Sequence, residues 1–146
     1  MPEVFTQDPP AWVRPYLGIP YAELDCWHLA SRMALERTGR ALPSFDGDYE
    51  VTADPEKWDA YVREQVTALF DRELQDRTRW PRVEVPEPLD LVLYRVLGRY
   101  HVATVVGGGW AVTTNLARGS HPVRMSHPGL KPPFLGGYYR HAGTGG

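Results

Sequence analysis

Cysteine is almost missing from this sequence, which has 146 residues and a single cysteine, Cys26. One cysteine excludes an intrachain disulfide framework and a zinc site built from several cysteines. A strong charge of either sign is missing too, because 16 lysines and arginines against 18 aspartates and glutamates give a formal net charge of −2. This balance argues against binding to nucleic acid through bulk electrostatics. We therefore expect no nucleic-acid partner.

Long apolar runs are also missing. No stretch approaches the length needed to cross a bilayer, so we expect no membrane insertion. Residues 1–15 contain prolines and acidic residues but no basic region followed by an apolar one, so they predict no secretory signal. Work outside the cytoplasm would then need another vehicle. The length itself predicts one domain with a genuine hydrophobic core.

The segment around Cys26 is typical of an amphipathic helix. Apolar residues follow at helical spacing, namely Leu29, Ala30, Met33 and Ala34. Asp25 suits the N-cap and Gly39 suits the position just past the end. Cys26 then falls in the first turn, where free N–H groups and the helix dipole favour a thiolate. The same pattern also describes a small buried core residue.

The rest of the chain predicts helices first and an antiparallel sheet afterwards. Residues 1–15 form a proline-rich irregular arm, because Pro9 and Pro10 block a helix. A second helix is expected from Asp54 to about Arg77. Strands are expected at 89–96, 101–106, 110–114 and 134–140, with a short extended piece around 123–125 and a flexible tail at 142–146. This order predicts an α+β domain.

His101 begins one of the predicted strands. If the three glycines at 107–109 form the hairpin loop, His101 lies opposite Asn115 on the next strand. A two-residue loop would put Thr114 there, and a register shift of two would favour Thr113. Each of these side chains can hydrogen-bond an imidazole. A thiol at a helix start, a strand histidine and a polar orienting residue form a nucleophile with its general base. A surface histidine at the start of a strand accounts for the same residues.

Other motifs predict no metal and no cofactor. His121 and His127 each stand in a Ser-His-Pro context, but no compact pair at ligand spacing is present. The glycines at 107–109 join two predicted strands and lack the lysine and helix of a phosphate-binding loop.

Four segments of the chain resemble the NlpC-type cysteine peptidases that cut bacterial cell walls, and in particular the branch encoded among phage tail genes. The segments are YLGIPYAELDCWHLASRMALERTGRALPSF, PLDLVLYRV, HVATVVGGGWAVTT and GYYR, and together they extend from about Tyr16 to Arg140. The positions that match the family's motifs are Gly18, Pro20, Tyr21, Asp25, Cys26, Asp90, Leu91, Val92, His101 and Val102.

This resemblance implies a papain-like NlpC-type fold over residues 16–141, with N-terminal helices packed on a small antiparallel sheet. It implies that Cys26 is the nucleophile and His101 the base. The family's third polar residue falls near Thr113 by the usual spacing, whereas Asn115 is the better orienting residue chemically and is our prediction for the third catalytic position. The implied reaction is hydrolysis of stem-peptide amide bonds in peptidoglycan, without a metal or cofactor.

Residues beside the cysteine are expected to contact the substrate. The resemblance implies that Tyr21 lines the site near the thiol, and we add Asp25 and Trp27 as substrate-binding residues, Trp27 as a wall of the cleft. The sequence departs from the family after the cysteine, where Trp27 and His28 replace a pair that ends in a small residue. His28 could crowd the cleft or add a second imidazole. Leu89 stands where the family has glycine.

The implied setting is a phage tail, with tail hub or tip proteins as partners. The protein would be made in the host cytoplasm and carried in the virion to act on the wall during genome entry. Two other functions fit the same residues. One is a structural tail-tip subunit that keeps the fold with weak or no activity, and the other is an acyltransferase or amidase that acts on a different amide.

Overall fold

The computed structural model describes residues 6–21, 23, 26–39, 42, 73–74, 76, 78–96, 99–115 and 117–141. These residues form an α+β structure, as predicted, with a six-stranded sheet. The helices are a 3-10 helix at Ala11–Tyr16, the α-helix α1 at Cys26–Thr38 and a 3-10 turn at Pro128–Leu130. The strands are β1 (Arg82–Val83), β2 (Leu91–Val96), β3 (Arg99–Gly107), β4 (Trp110–Asn115), β5 (Gly119–Arg124) and β6 (Leu135–Tyr139).

The strand order is β1-β6-β2-β3-β4-β5, and every neighbouring pair is antiparallel. Strands β2 to β5 follow one another as a meander, and β6 returns to pair with β2. The predicted strands at β2, β3, β4 and β6 are confirmed. β5 is longer than the predicted extended piece and contains Pro122. It lies at the edge of the sheet, where a proline is tolerated because its missing N–H removes no ladder bond.

Helix α1 begins and ends where the sequence predicts. Cys26 is its first residue, and Gly39 follows its last with a φ of +75°. The Gly39 N–H donates to the carbonyl oxygen of Leu35 at 2.8 Å, the kind of bond that closes a helix with a left-handed residue. The predicted N-cap residue, Asp25, lies outside the described residues.

The prediction of an irregular arm over residues 1–15 is wrong for its second half. Ala11 to Tyr16 form a 3-10 helix that starts directly after Pro10 and contains Pro15. A proline suits the start of a helix because its φ is already helical and its absent N–H would be unpaired there. Val13 and Tyr16 are buried against the body of the protein, so tertiary packing stabilises a turn that composition disfavours.

Several predicted segments lie wholly or mainly outside the described residues. They are the start of the arm at 1–5, the loop at 41–49 apart from Leu42, and the tail at 142–146. The same holds for most of the predicted second helix at 54–77. Near its end, Glu73 and Leu74 are described and are helical.

The core lies on both faces of the sheet. Helix α1 covers one face, and neighbouring residues of each strand alternate between the two. Cys26, Trp27, Ala30 and Ala34 of α1 share a buried cluster with Leu93 and Val102, and Leu29 and Met33 share another with Val106 and Val112. The other face is covered by Met125 and Leu130. Across the described part of the chain, no helix combines the length and apolarity that a membrane span requires.

Candidate active site

Cys26 lies at the start of α1 with 4% of its surface exposed. Its buried cluster contains Leu93 of β2 and Val102 of β3. Val102 is the residue after His101, so the cluster around the thiol includes the chain neighbour of the imidazole. Because His101 and Val102 alternate along the strand, the imidazole lies on the face away from the body of α1.

His101 pairs directly with Tyr94 of β2. The two rings are tilted by 31° and their centroids are 5.8 Å apart. His101 is half-buried and Tyr94 is buried. Two aromatic rings at this separation attract each other beyond simple burial. Tyr94 belongs to no motif that we recognised in the sequence, and its place beside His101 follows from the pairing of β2 with β3.

A short hydrogen-bonded chain links β2, β3 and β4 next to this ring pair. The hydroxyl oxygens of Tyr94 and Thr113 are 2.9 Å apart, and the Thr113 hydroxyl donates to the carbonyl oxygen of Val102 at 3.1 Å. Both side chains are buried. Burial raises the pKa of Tyr94 to about 12, the bond to Thr113 lowers it, and the charge of Cys26 raises it further. The Cys26 thiol is therefore close enough to Tyr94 to act on it electrostatically.

The hairpin between β3 and β4 has the strand register predicted for a loop of three glycines. Gly107 pairs with Trp110, which makes a two-residue turn, and a bulge then separates this pair from the next one, Val105 with Ala111. The bulge restores the register of a three-residue loop. When that register is extended along β3, His101 lies opposite Asn115.

The three candidates for the third catalytic position differ in their surroundings. Asn115 is exposed, and its Oδ1 accepts from the Arg118 N–H at 2.8 Å, which closes the turn into β5. Thr113 bonds Tyr94 and Val102, as described above. Thr114 is buried, and its Oγ1 has no hydrogen-bond partner among the described residues. No described hydrogen bond joins any of the three to His101, so Asn115 stays a prediction.

The predicted substrate-binding residues are placed differently from one another. Tyr21 is half-buried and packs against the cluster that contains Cys26. Trp27 is fully buried, and its ring centroid lies 5.7 Å from that of Trp80. We therefore assign Trp27 to the core, because no part of it is open to a substrate in this structure. Asp25 lies outside the described residues. His28 is half-buried on α1.

The turn that leads to Cys26 is fastened to β5. The Gly18 N–H donates to the carbonyl oxygen of Ser120 at 2.8 Å. Ile19 and Ser120 exchange two further bonds, one from the Ile19 N–H to the Ser120 Oγ at 2.8 Å and one from the Ser120 N–H to the Ile19 carbonyl at 2.9 Å. Ser120 belongs to no recognisable motif, yet its hydrogen bonds hold the turn that precedes Cys26.

Asp90, one of the positions that match the family's motifs, has a structural role. Its buried carboxylate accepts from Nε and Nη2 of Arg140, both at 2.9 Å, and from the Glu87 N–H at 2.7 Å. The carboxylate raises the pKa of Arg140 through these bonds and its charge. This pairing ties the start of β2 to the end of β6. Leu89, just before it, has a φ of +76°, a left-handed conformation that favours glycine.

Within the described ranges, no group of three or more histidine, cysteine, aspartate or glutamate side chains is arranged to hold a metal ion. Comparison of the chain with protein-family models and with curated proteins finds no match to either. The functional interpretation therefore depends on the residues and geometry described above.

Proposed function

We propose that this protein is a papain-like cysteine peptidase of the NlpC type that hydrolyses stem-peptide amide bonds in peptidoglycan. We further propose that it works as part of a phage tail, beside hub or tip proteins. The observation that supports the catalytic part best is the shared location of its two reactive groups. Cys26 is the first residue of α1 and shares a buried cluster with Val102, the neighbour of His101 on β3, and the His101 ring centroid lies 5.8 Å from that of Tyr94.

The start of a helix suits a nucleophilic thiol. The first N–H groups of α1 have no partner within the helix, and together with the helix dipole they favour negative charge at Cys26. The same N–H groups are suited to stabilise the oxyanion that forms when a carbonyl carbon becomes tetrahedral.

The reaction follows from these groups. His101 would take the proton of the Cys26 thiol, and the thiolate would attack the carbonyl carbon of the substrate amide. The C–N bond would then break, with the amine leaving on the proton that His101 returns. Water, deprotonated by His101, would attack the thioester to release the carboxylate product and restore the Cys26 thiol. Each proton that His101 accepts is given back within one cycle.

One observation favours the second function, a structural tail-tip subunit. Cys26 has only 4% of its surface exposed, and a cysteine enclosed by apolar side chains is typical of an inert core residue. An active enzyme requires substrate to reach this thiol. Its accessibility is therefore the property that separates the two functions.

The test is release of soluble muropeptides from purified peptidoglycan. We expect the wild type to release them and Cys26→Ala and His101→Ala to lose at least about a thousandfold in rate, as removal of one member of a catalytic pair does elsewhere. His127→Ala is the matched histidine control, because the Nδ1 of His127 accepts from the Gly129 N–H in a surface turn. It should keep wild-type activity.

The other outcomes decide between the functions. Undiminished release by Cys26→Ala would overturn the mechanism. No release by the wild type, combined with a folded-state thiol that iodoacetamide does not alkylate, would establish the structural function instead. Mass spectrometry of purified phage particles tests the tail location. Absence of this protein from the particles would contradict that part of the proposal.

A further inference from the structure

We propose that Tyr94, held in place by Thr113, is a positioning residue for His101 and acts through its aromatic ring. This inference depends on the proposed function, since it assigns the task of orienting the base to a residue of β2. It adds an aromatic contact to the surroundings of the imidazole.

The direction of the hydrogen bonds supports a role for the ring and not for the hydroxyl. A carbonyl oxygen can only accept, so the bond between Thr113 and the Val102 carbonyl uses the single hydroxyl proton of Thr113. Thr113 must then accept from Tyr94, whose hydroxyl lies 2.9 Å away. The Tyr94 proton is thus committed to Thr113, and neither hydroxyl has a proton left for His101. What Tyr94 offers His101 is its ring.

The ring contact has the right chemistry for a general base. The centroids are 5.8 Å apart, within the distance at which a cation is attracted by an aromatic ring. When His101 takes the proton of Cys26 it becomes an imidazolium, and the Tyr94 ring stabilises that charged form. Burial and the anchoring bond keep Tyr94 rigid, which also restricts rotation of the imidazole beside it.

The surroundings of His101 favour Tyr94 over Asn115 for this role. Tyr94 is buried, whereas Asn115 is exposed and uses its Oδ1 on the Arg118 N–H. The charge that reaches Tyr94 from α1 is that of Cys26, and its partner from β4 is the neutral Thr113. Tyr94 therefore contacts the imidazole and is also acted on by the charge of Cys26.

The test is an NMR titration of the imidazole of His101 in the full chain, with Tyr94→Phe, Tyr94→Met and Asn115→Ala. In Tyr94→Met we expect the His101 pKa to fall by about half a unit, since a cation–π contact of ordinary strength is lost. Tyr94→Phe keeps the ring and should restore the wild-type value. Asn115→Ala should leave the His101 pKa unchanged. The pKa of His127 should stay the same in every variant, and it serves as the internal control for the fold.

A His101 pKa that stays at the wild-type value in Tyr94→Met would overturn the inference. A shift of equal size in Tyr94→Phe would do the same, because it would assign the effect to the hydroxyl. If Tyr94→Met does not fold, Tyr94→Leu, which also removes the ring, is titrated in its place, and the same two outcomes decide. A pKa shift in Asn115→Ala alone contradicts the role of the ring.

The titration needs no enzymatic activity, so it can fail separately from the proposed function. If the wild type releases muropeptides, kcat should fall about threefold in Tyr94→Met with little change in KM, matching half a pKa unit. Unchanged kcat and unchanged His101 pKa would remove the inference and leave the peptidase. A shifted pKa in a protein without activity would support the ring contact and remove the peptidase.

Discussion

At the scale of single residues, Leu89 combines an unfavourable backbone with a favourable side chain. Its φ of +76° places it in the left-handed region, where a Cβ atom crowds the following carbonyl. Its side chain packs against the cluster formed by α1 and the far end of β3, and its N–H donates to the Val105 carbonyl at 2.7 Å. The glycine that the family has at this position would relieve the backbone and lose the packing.

We predict that Leu89→Gly is more stable than Leu89→Ala by about 1 kcal/mol. Both variants remove the packed side chain, so their difference isolates the cost of a Cβ atom at positive φ. Urea denaturation followed by tryptophan fluorescence measures the two free energies of unfolding. A Leu89→Ala protein as stable as Leu89→Gly would show that the backbone conformation at this residue carries no cost.

At the scale of elements, the N-terminal end of α1 depends on a strand far away in sequence. Ser120 of β5 holds the turn before Cys26 by hydrogen bonds, and the backbone of Gly119 lies close to the same turn. A Cβ atom on Gly119 would stand 2.6 Å from the carbonyl oxygen of Ile19, at a φ of +68°. The approach of the two backbones therefore requires a glycine at this position.

Gly119→Ala should destabilise the protein by at least about 2 kcal/mol more than Gly18→Ala. Gly18 has a φ of +76° but open space around its Cβ position, so it shares the backbone cost without the clash. Because the clash displaces the turn, Gly119→Ala should also raise the rate at which iodoacetamide alkylates Cys26. Equal stability of the two variants would argue that the turn is not fastened to β5 as described.

At the scale of the whole molecule, one histidine couples stability to pH. The ring of His141, just after β6, lies 4.7 Å from that of Trp80. Burial lowers the pKa of His141 from its ordinary 6.5, and the charge of Glu73 acts in the opposite direction. As the pH falls, the imidazole of His141 therefore becomes protonated at a higher pH in the unfolded chain than in the folded chain.

We expect the free energy of unfolding to fall as the pH drops from about 7.5 through 6.5 and on toward the folded pKa of His141. His141→Phe keeps a ring against Trp80 and removes the titration, so its profile should be flatter in this window. Asp76, whose pKa is lowered chiefly by a bond from the Arg79 N–H, affects stability only at lower pH. Parallel profiles for the wild type and His141→Phe would contradict the assignment.

Much of the fold could be predicted from local patterns. The 3.6-residue spacing after Cys26 and the glycine at 39 predicted α1, and runs of β-forming residues bounded by turn signals predicted four of the strands, because these signals act between residues close in sequence. The strand β5 was largely missed because its proline disfavours a strand everywhere except at an edge, and edge position depends on the whole sheet. The 3-10 helix at 11–16 was missed for a related reason, since burial of Val13 and Tyr16 stabilises it.

The sequence by itself determined the two side chains proposed to react and the elements that carry them. Cys26 at a helix start and His101 at a strand start are local facts of the chain. Only the tertiary structure decided what surrounds them, because strand pairing brings together residues that local periodicity cannot connect. The pairing of β2 with β3 places Tyr94 against His101, the bulge in the hairpin sets the register toward Asn115, and burial turns Trp27 into a core residue.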